Sequence, residues 1–198
     1  MGFEWAYRHG SPPWDIGRPQ PAVVALAEAG AFAGSVVDLG CGTGENALFL
    51  ASRGLRVTGI DAAPTAIGRA SGKARQRGIV ATFRIADALE LGRLGASYDA
   101  ALDCGLFHTF SDEERVRYER GLRQLVVVGG RCFILCFSDR QPGGMGPRRV
   151  SQAELRATFA RGWRVDAIEE TAFATHDEGQ GSRAPLAWLA SLTRLAEG

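Results

Sequence analysis

Val36-Val-Asp-Leu-Gly-Cys-Gly-Thr-Gly-Glu-Asn46 decides the fold of this chain. Ser35 to Gly40 carries β-branched and apolar residues in a short run, which reads as a buried strand. Gly40, Gly42 and Gly44 then permit a tight turn and a close ligand approach to the backbone. A helix follows from Glu45 to Arg53. Strand, glycine turn and helix form the first unit of an open α/β sheet, and such sheets bind ligands beyond the carboxyl ends of their strands.

Outward from this unit, strands and helices alternate. Strands are expected at Leu55–Ile60, Val80–Ile85, Tyr98–Cys104, Arg131–Phe137 (after the pair Gly129-Gly130) and Trp163–Phe173. Helices are expected at 21–33, at Pro64–Arg77 with proline in the first turn, near 88–94 and at Asp112–Val127. A further helix runs from the Ser151 cap to Ala160, with Glu154 completing a capping box. Residues 1–20 hold Pro12, Pro13 and Pro19 with few aliphatics and read as an irregular arm. Residues 138–149 read as a Gly/Pro-rich loop. Ala187–Leu195 suits either a helix or a strand. Alternating strands and helices imply a parallel sheet covered on both faces.

Two ligand classes compete for the glycine turn. Dinucleotide enzymes use GxGxxG, but the third glycine position is here Glu45. A carboxylate at that helix start would repel a pyrophosphate. S-adenosylmethionine carries no phosphate, only an amino acid end and a sulfonium, and Asp38 suits its positive groups. Asp61 ends the second strand, where a carboxylate can accept both ribose hydroxyl protons. Asp87 follows the third strand, where it can accept from an adenine amino group while the backbone beside Ala88 meets a ring nitrogen. Asp61 and Asp87 each read equally as a helix cap; three carboxylates at successive strand ends are more specific than any one.

A length of 198 residues fits one domain. The net charge of +1 supplies no global field for nucleic acid or anionic membrane. No apolar stretch approaches the ~18 residues of a membrane span. Cys41, Cys104, Cys132 and Cys136 form no CxxC pair and read as reduced thiols of a cytoplasmic protein. Three scattered histidines with Cys104 lack metal-ligand spacing, so no metal is expected.

The chain resembles class I S-adenosylmethionine-dependent methyltransferases through Asp38-Leu-Gly-Cys-Gly-Thr-Gly44, Asp61 and Asp87. That resemblance implies a Rossmann-like, doubly wound, seven-stranded, mostly parallel sheet with an antiparallel last strand, and so makes Ala187–Leu195 a strand. Pro13-Trp14-Asp15-Ile16-Gly17-Arg18-Pro19-Gln20-Pro21 is similar to the N-terminal arm of thiol, thiopurine and halide methyltransferases. In that group the arm closes over the cofactor, which implies residues 1–34 as a closing segment and 35–198 as the methyltransferase domain. Asp99–Phe107 and Gly146-Pro147-Arg148-Arg149-Val150-Ser151 also resemble the group. His108, Val128 and the arginine pair depart from it.

The resemblance implies a cofactor site of Trp14, Arg18, Asp38, Gly40, Cys41, Gly42, Asn46, Asp61, Ala62, Asp87, Ala88, Asp103 and Phe107. Asp103 is expected at the cofactor's amino group. Methyl transfer is a displacement in which alignment matters most, and a base is needed only for a protonated acceptor. His108, five residues past Asp103, is the candidate base. Asp139, Arg140, Arg148 and Arg149 are candidates for the acceptor pocket, the last two for an acidic acceptor. Trp5, Tyr7, Trp14 and Phe107 are candidates for an apolar roof. The expected function is methyl transfer to a small thiol, halide, nitrogen heterocycle or phenol by a monomer or homodimer that binds neither nucleic acid nor membrane. A regulatory protein that holds the cofactor without turnover, and a nicotinamide-dependent oxidoreductase, are the alternatives.

Overall fold

A computed structural model describes residues 2–143, 146–176 and 184–196. Seven strands form one sheet: β1 (Ser35–Leu39), β2 (Arg56–Asp61), β3 (Thr82–Ile85), β4 (Tyr98–Cys104), β5 (Val126–Phe137), β6 (Trp163–Ala172) and β7 (Leu186–Arg194). Their order is β3-β2-β1-β4-β5-β7-β6. β1 pairs in parallel with β2 and β4, while β7 runs antiparallel to β5 and β6. The doubly wound sheet with an antiparallel last strand is therefore present, and the ambiguous C-terminal run is a strand. Its residues Ala187 to Leu192 are nearly all buried, because β7 lies between two neighbours and has no solvent edge.

Among the described residues, α1 (Phe3–His9) and α2 (Pro21–Glu28) precede the sheet, and α3 (Glu45–Ser52), α4 (Pro64–Arg77), α5 (Asp112–Leu125) and α6 (Gln152–Thr158) connect its strands. Short 3-10 turns occupy Ala88–Leu94 and Phe107–Thr109. Pro64 opens α4 and Gly78 closes it in the left-handed conformation. Capping boxes at Ser111/Glu114 and Ser151/Glu154 start α5 and α6.

Four local expectations change. The arm is not wholly irregular, since Phe3–His9 forms α1. It lies against α4, where Glu4 accepts from the Thr65 amide and hydroxyl at 3.1 and 2.7 Å. α5 ends at Leu125, not Val127, because the β-branched run Val126-Val-Val128 enters β5. Gly129 and Gly130 do not precede that strand but interrupt its register, which passes from Tyr98↔Val126 to Ala100↔Arg131. α2 also ends early, at Glu28. Its Val23 packs with Phe32, Val36 and Phe133 in one core, so residues 21–34 share the interior of the sheet domain.

The strand order reverses between β1 and β4. Gly40 after β1 and Gly105 after β4 thus flank the crevice where such sheets take ligands.

Candidate functional site

Asp38 lies at the carboxyl end of β1 with 1% of its surface accessible. Neither carboxylate oxygen has a hydrogen-bond partner. Burial, with the nearby Asp103 and Asp61 carboxylates, pushes its carboxyl up to about 8; the Ala47 amide in the first turn of α3 is near enough to oppose this but does not meet hydrogen-bond geometry. A buried carboxylate without a partner is costly unless a cation or proton reaches it. The crevice therefore contains a built-in demand for positive charge.

Asp61 is held differently. Its oxygens accept from the Gly42 amide at 2.9 Å and the Ala63 amide at 2.8 Å. Each oxygen keeps a lone pair, so the pair of ribose hydroxyls remains a fitting partner. Burial holds the Asp61 carboxyl above its ordinary range despite these two bonds. Asp87 caps the following turn through Oδ1, which accepts from the Leu89 amide at 2.8 Å, and is exposed beside buried Ala88. The Ala86 amide donates to the Asp61 carbonyl, so the two carboxylates stand on adjacent strand ends. Ala62 is exposed between them.

The arm roofs this crevice. Tyr7 is buried, and its hydroxyl comes within 2.6 Å of where a Cβ on Gly42 would stand. Trp14 Nε1 donates to the Tyr7 hydroxyl at 3.0 Å, and Phe3 packs edge-on against Trp14. Cys41 hydrogen-bonds through its amide to Ile60, which fixes the turn against β2. Asn46 Oδ1 accepts from the Gln20 amide at 2.9 Å, so this residue ties α3 to the arm. Arg18 is exposed on the arm. Trp5 is half exposed and stacks on His9 outside the roof.

Several residues expected at the site are held by partners within the protein. Phe107 is fully buried, in contact with Tyr118, Phe159 and the Arg115 guanidinium, so its side chain packs in the core. Asp103 is also fully buried. Its Oδ1 accepts from the Leu106 and Phe107 amides and its Oδ2 from the Tyr118 hydroxyl, so it secures the turn after β4. Arg148 pairs with Asp112 and Glu154, which removes it from the acceptor side. Arg140 pairs with Glu170 and packs over Trp188, and Asp139 accepts from Trp188 Nε1, so both belong to the β6–β7 side. Glu45 does not face the crevice as an unpaired charge. Lys73 at 2.8 Å and Arg77 at 2.7 Å offset it, so phosphate repulsion is not what excludes a dinucleotide.

His108 is positioned by a cluster that no sequence motif marked. Its ring stacks on Phe137 at 4.7 Å and meets Phe173 edge-on at 5.8 Å. Arg149 covers the Phe137 ring at 5.3 Å. Phe137 ends β5 and Phe173 follows β6, so the three rings converge only through the sheet. The Phe137 amide donates to His108 Nδ1 at 3.1 Å. That bond places the neutral ring's hydrogen on Nε2, which cannot then take a proton there. Burial, with the Arg115 and Arg149 charges, holds the imidazole down to about 4. Both features oppose the ring's taking a proton as a general base.

A nucleoside crevice with a carboxylate trio, roofed by an aromatic arm, defines a nucleoside-binding α/β protein with a second, aromatic subsite beside it. Comparison with known proteins agrees. A model of the methyltransferase domain matches residues 36–130. The chain is similar to 2-heptyl-1-hydroxyquinolin-4(1H)-one methyltransferase of Mycobacteroides abscessus, 36% identical over 187 residues and covering 89% of this chain and 82% of that one. It is 28% identical over 155 residues to probable thiol methyltransferase 2 of Arabidopsis thaliana, covering 77% and 69%. A solved structure described under the conversion of a disulfide bond into a thioacetal group during echinomycin biosynthesis superposes with TM-score 0.89 and 38% identity, covering 98% of this chain and 91% of that one. The chain belongs to the S-adenosylmethionine-dependent methyltransferases. It is an enzyme, and S-adenosylmethionine is its cofactor.

Proposed function

We propose that the enzyme methylates an oxygen atom on a small, flat, aromatic acceptor. The observation that carries this reading is the cluster of His108, Phe137 and Phe173 beside Gly105. A planar ring matches such walls, since aromatic pairs favour offset and edge-to-face contact. An oxygen matches a ring N–H donor better than sulfur or a halide does. The hydroxyquinolone acted on by the Mycobacteroides relative has this chemistry. The thiol and disulfide chemistry of the other two relatives is the competing acceptor class.

S-adenosylmethionine supplies an electrophilic methyl group when bound. Asp38 would hold its ammonium end, Asp61 the ribose and Asp87 the adenine, with Gly40, Gly42 and the Cys41 backbone forming the close wall. Tyr7 and Trp14, from the segment 1–34, would exclude water above the crevice. A dry site favours reaction of an anionic nucleophile with a cation, because charge falls in the transition state. Four free thiols support a reducing, cytoplasmic setting.

Release of S-adenosylhomocysteine across a panel of hydroxylated heteroaromatics, phenols, thiols and iodide tests the proposal. The expected outcome is fastest turnover with a hydroxylated heteroaromatic and an O-methyl product by mass spectrometry. Faster methylation of thiols or iodide would reject the oxygen class.

A further inference from the structure

We propose that His108 is a hydrogen-bond donor that selects acceptors arriving already ionised, so that the enzyme works without a general base at this position. This rests on the oxygen-acceptor reading above and names the ionisation state that the site demands.

The geometry assigns the role. Nδ1 is committed to the Phe137 amide, and that amide belongs to β5, so the ring cannot exchange its nitrogens without breaking a backbone contact. Nε2 carries the hydrogen, donates to no described residue, and is not among the atoms closed off from solvent without a partner. The residue is only 6% accessible. A donor with only this narrow access to solvent gains a hydrogen bond from an acceptor atom bound beside it. The ring is locked by stacking on Phe137, and Arg149 backs Phe137 from beyond. Gly105 leaves room beside it: a Cβ there would stand 3.7 Å from both His108 Cε1 and the Phe173 ring. Gly105 has φ +90°, so a side chain is disfavoured there on backbone grounds as well.

The charged groups facing His108 act in one direction. Arg115 from α5 and Arg149 from the segment before α6 both oppose a second proton on the ring. The same two cations favour an anion nearby, and a neutral N–H donor beside an anion gives a charge-assisted bond. In the transfer, an acceptor oxygen lone pair forms the new O–C bond. The C–S bond breaks and its electron pair stays on sulfur. An ionised acceptor has no proton to lose, so none has to be placed on the protein. Substrates are therefore acidic hydroxyls, such as N-hydroxy or electron-poor phenolic groups, that ionise near neutral pH.

Two variants and a graded acceptor series test the proposal. His108→Phe keeps an aromatic ring and removes the donor. Loss of about ten- to hundredfold in kcat/KM is expected, the worth of one hydrogen bond to a charged group. His108→Gln restores an N–H near the same place without restoring a base, and is expected to recover most of that loss. The acid limb of kcat/KM should move with the acceptor's own pKa across the series. Calorimetric binding of S-adenosylhomocysteine should be alike in all three proteins, which shows that the variants are folded. Oxygen acceptors turned over by the parent, with His108→Gln as slow as His108→Phe, would overturn the donor role. So would an acid limb that stays fixed across the series. A parent enzyme that turns over thiols alone would overturn the acceptor class on which the role rests.

Discussion

At the scale of single residues, Asp38 and Asp61 show how one carboxylate can be satisfied by its own protein and another left waiting. Asp61 has two amide partners, whereas Asp38 has none. The folded-state carboxyl of Asp38 is raised to about 8 from an ordinary 3.8. Between these values the folded protein binds more protons than the unfolded one, so stability of the ligand-free enzyme falls as pH rises. Asp103 from β4 and Asp61 from β2 face Asp38 and strengthen the effect. Asp38→Asn should therefore lose part of that pH slope and gain melting temperature over the parent as pH climbs from 5 to about 8. The same variant should bind cofactor more weakly. Calorimetry at neutral pH in buffers of differing ionisation heat should show protons released when the parent binds S-adenosylmethionine. Parallel melting curves for both proteins across pH, or cofactor binding without proton release, would contradict this account. The motif announces that Asp38 is acidic and near the turn. It says nothing of its missing partners, because Cys104, Asp103 and Tyr118 arrive from β4 and α5, far along the chain. His108 is the parallel case: its loop position was legible, but its tautomer depends on an amide 29 residues away.

At the scale of elements, the arm is bound to the domain by contacts that no local pattern encodes. Gln20 Nε2 donates to the Ala174 carbonyl at 3.0 Å, and its Oε1 accepts from the Ala174 amide at 2.9 Å. Arg69 on α4 donates to the Tyr7 and Gly10 carbonyls. His176 reaches the Asp15 carbonyl through its ring and the Pro13 carbonyl through its amide. These bonds fasten the two ends of the arm to α4 and to the segment after β6. Proline-rich composition foretold the irregular middle of the arm but not its anchors, since each anchor is a backbone group on a distant element. Gln20→Ala should leave both Ala174 backbone groups buried and unpaired, at about 1–3 kcal/mol each. Limited proteolysis should then cut within residues 10–20 faster than in the parent, and cofactor affinity should fall several-fold as Tyr7 leaves Gly42. Identical digestion patterns would show that Gln20 does not hold the arm.

Across the whole molecule, the reversal of strand order between β1 and β4 divides the labour of the sheet. The carboxylates proposed for the cofactor stand on β1 and β2 and just after β3, while the rings proposed for the acceptor stand after β4, at the end of β5 and after β6. The first half was readable because each carboxylate lies a few residues past an apolar run. The second half was not, because Phe137 and Phe173 look like ordinary strand-end hydrophobes until β7 draws β5 and β6 to either side of itself. If the halves act separately, substitutions should separate the kinetic constants. Phe173→Leu keeps an apolar side chain but removes one wall ring, worth about 0.5–1.5 kcal/mol in aromatic contact. It should lower kcat/KM for an aromatic acceptor roughly two- to tenfold while leaving the S-adenosylhomocysteine dissociation constant unchanged. Asp87→Ala should do the reverse, weakening cofactor binding with little change in acceptor KM at saturating cofactor. Equal movement of both constants in either variant would mean that the two subsites are one, and that the crevice between β1 and β4 does not partition cofactor from acceptor.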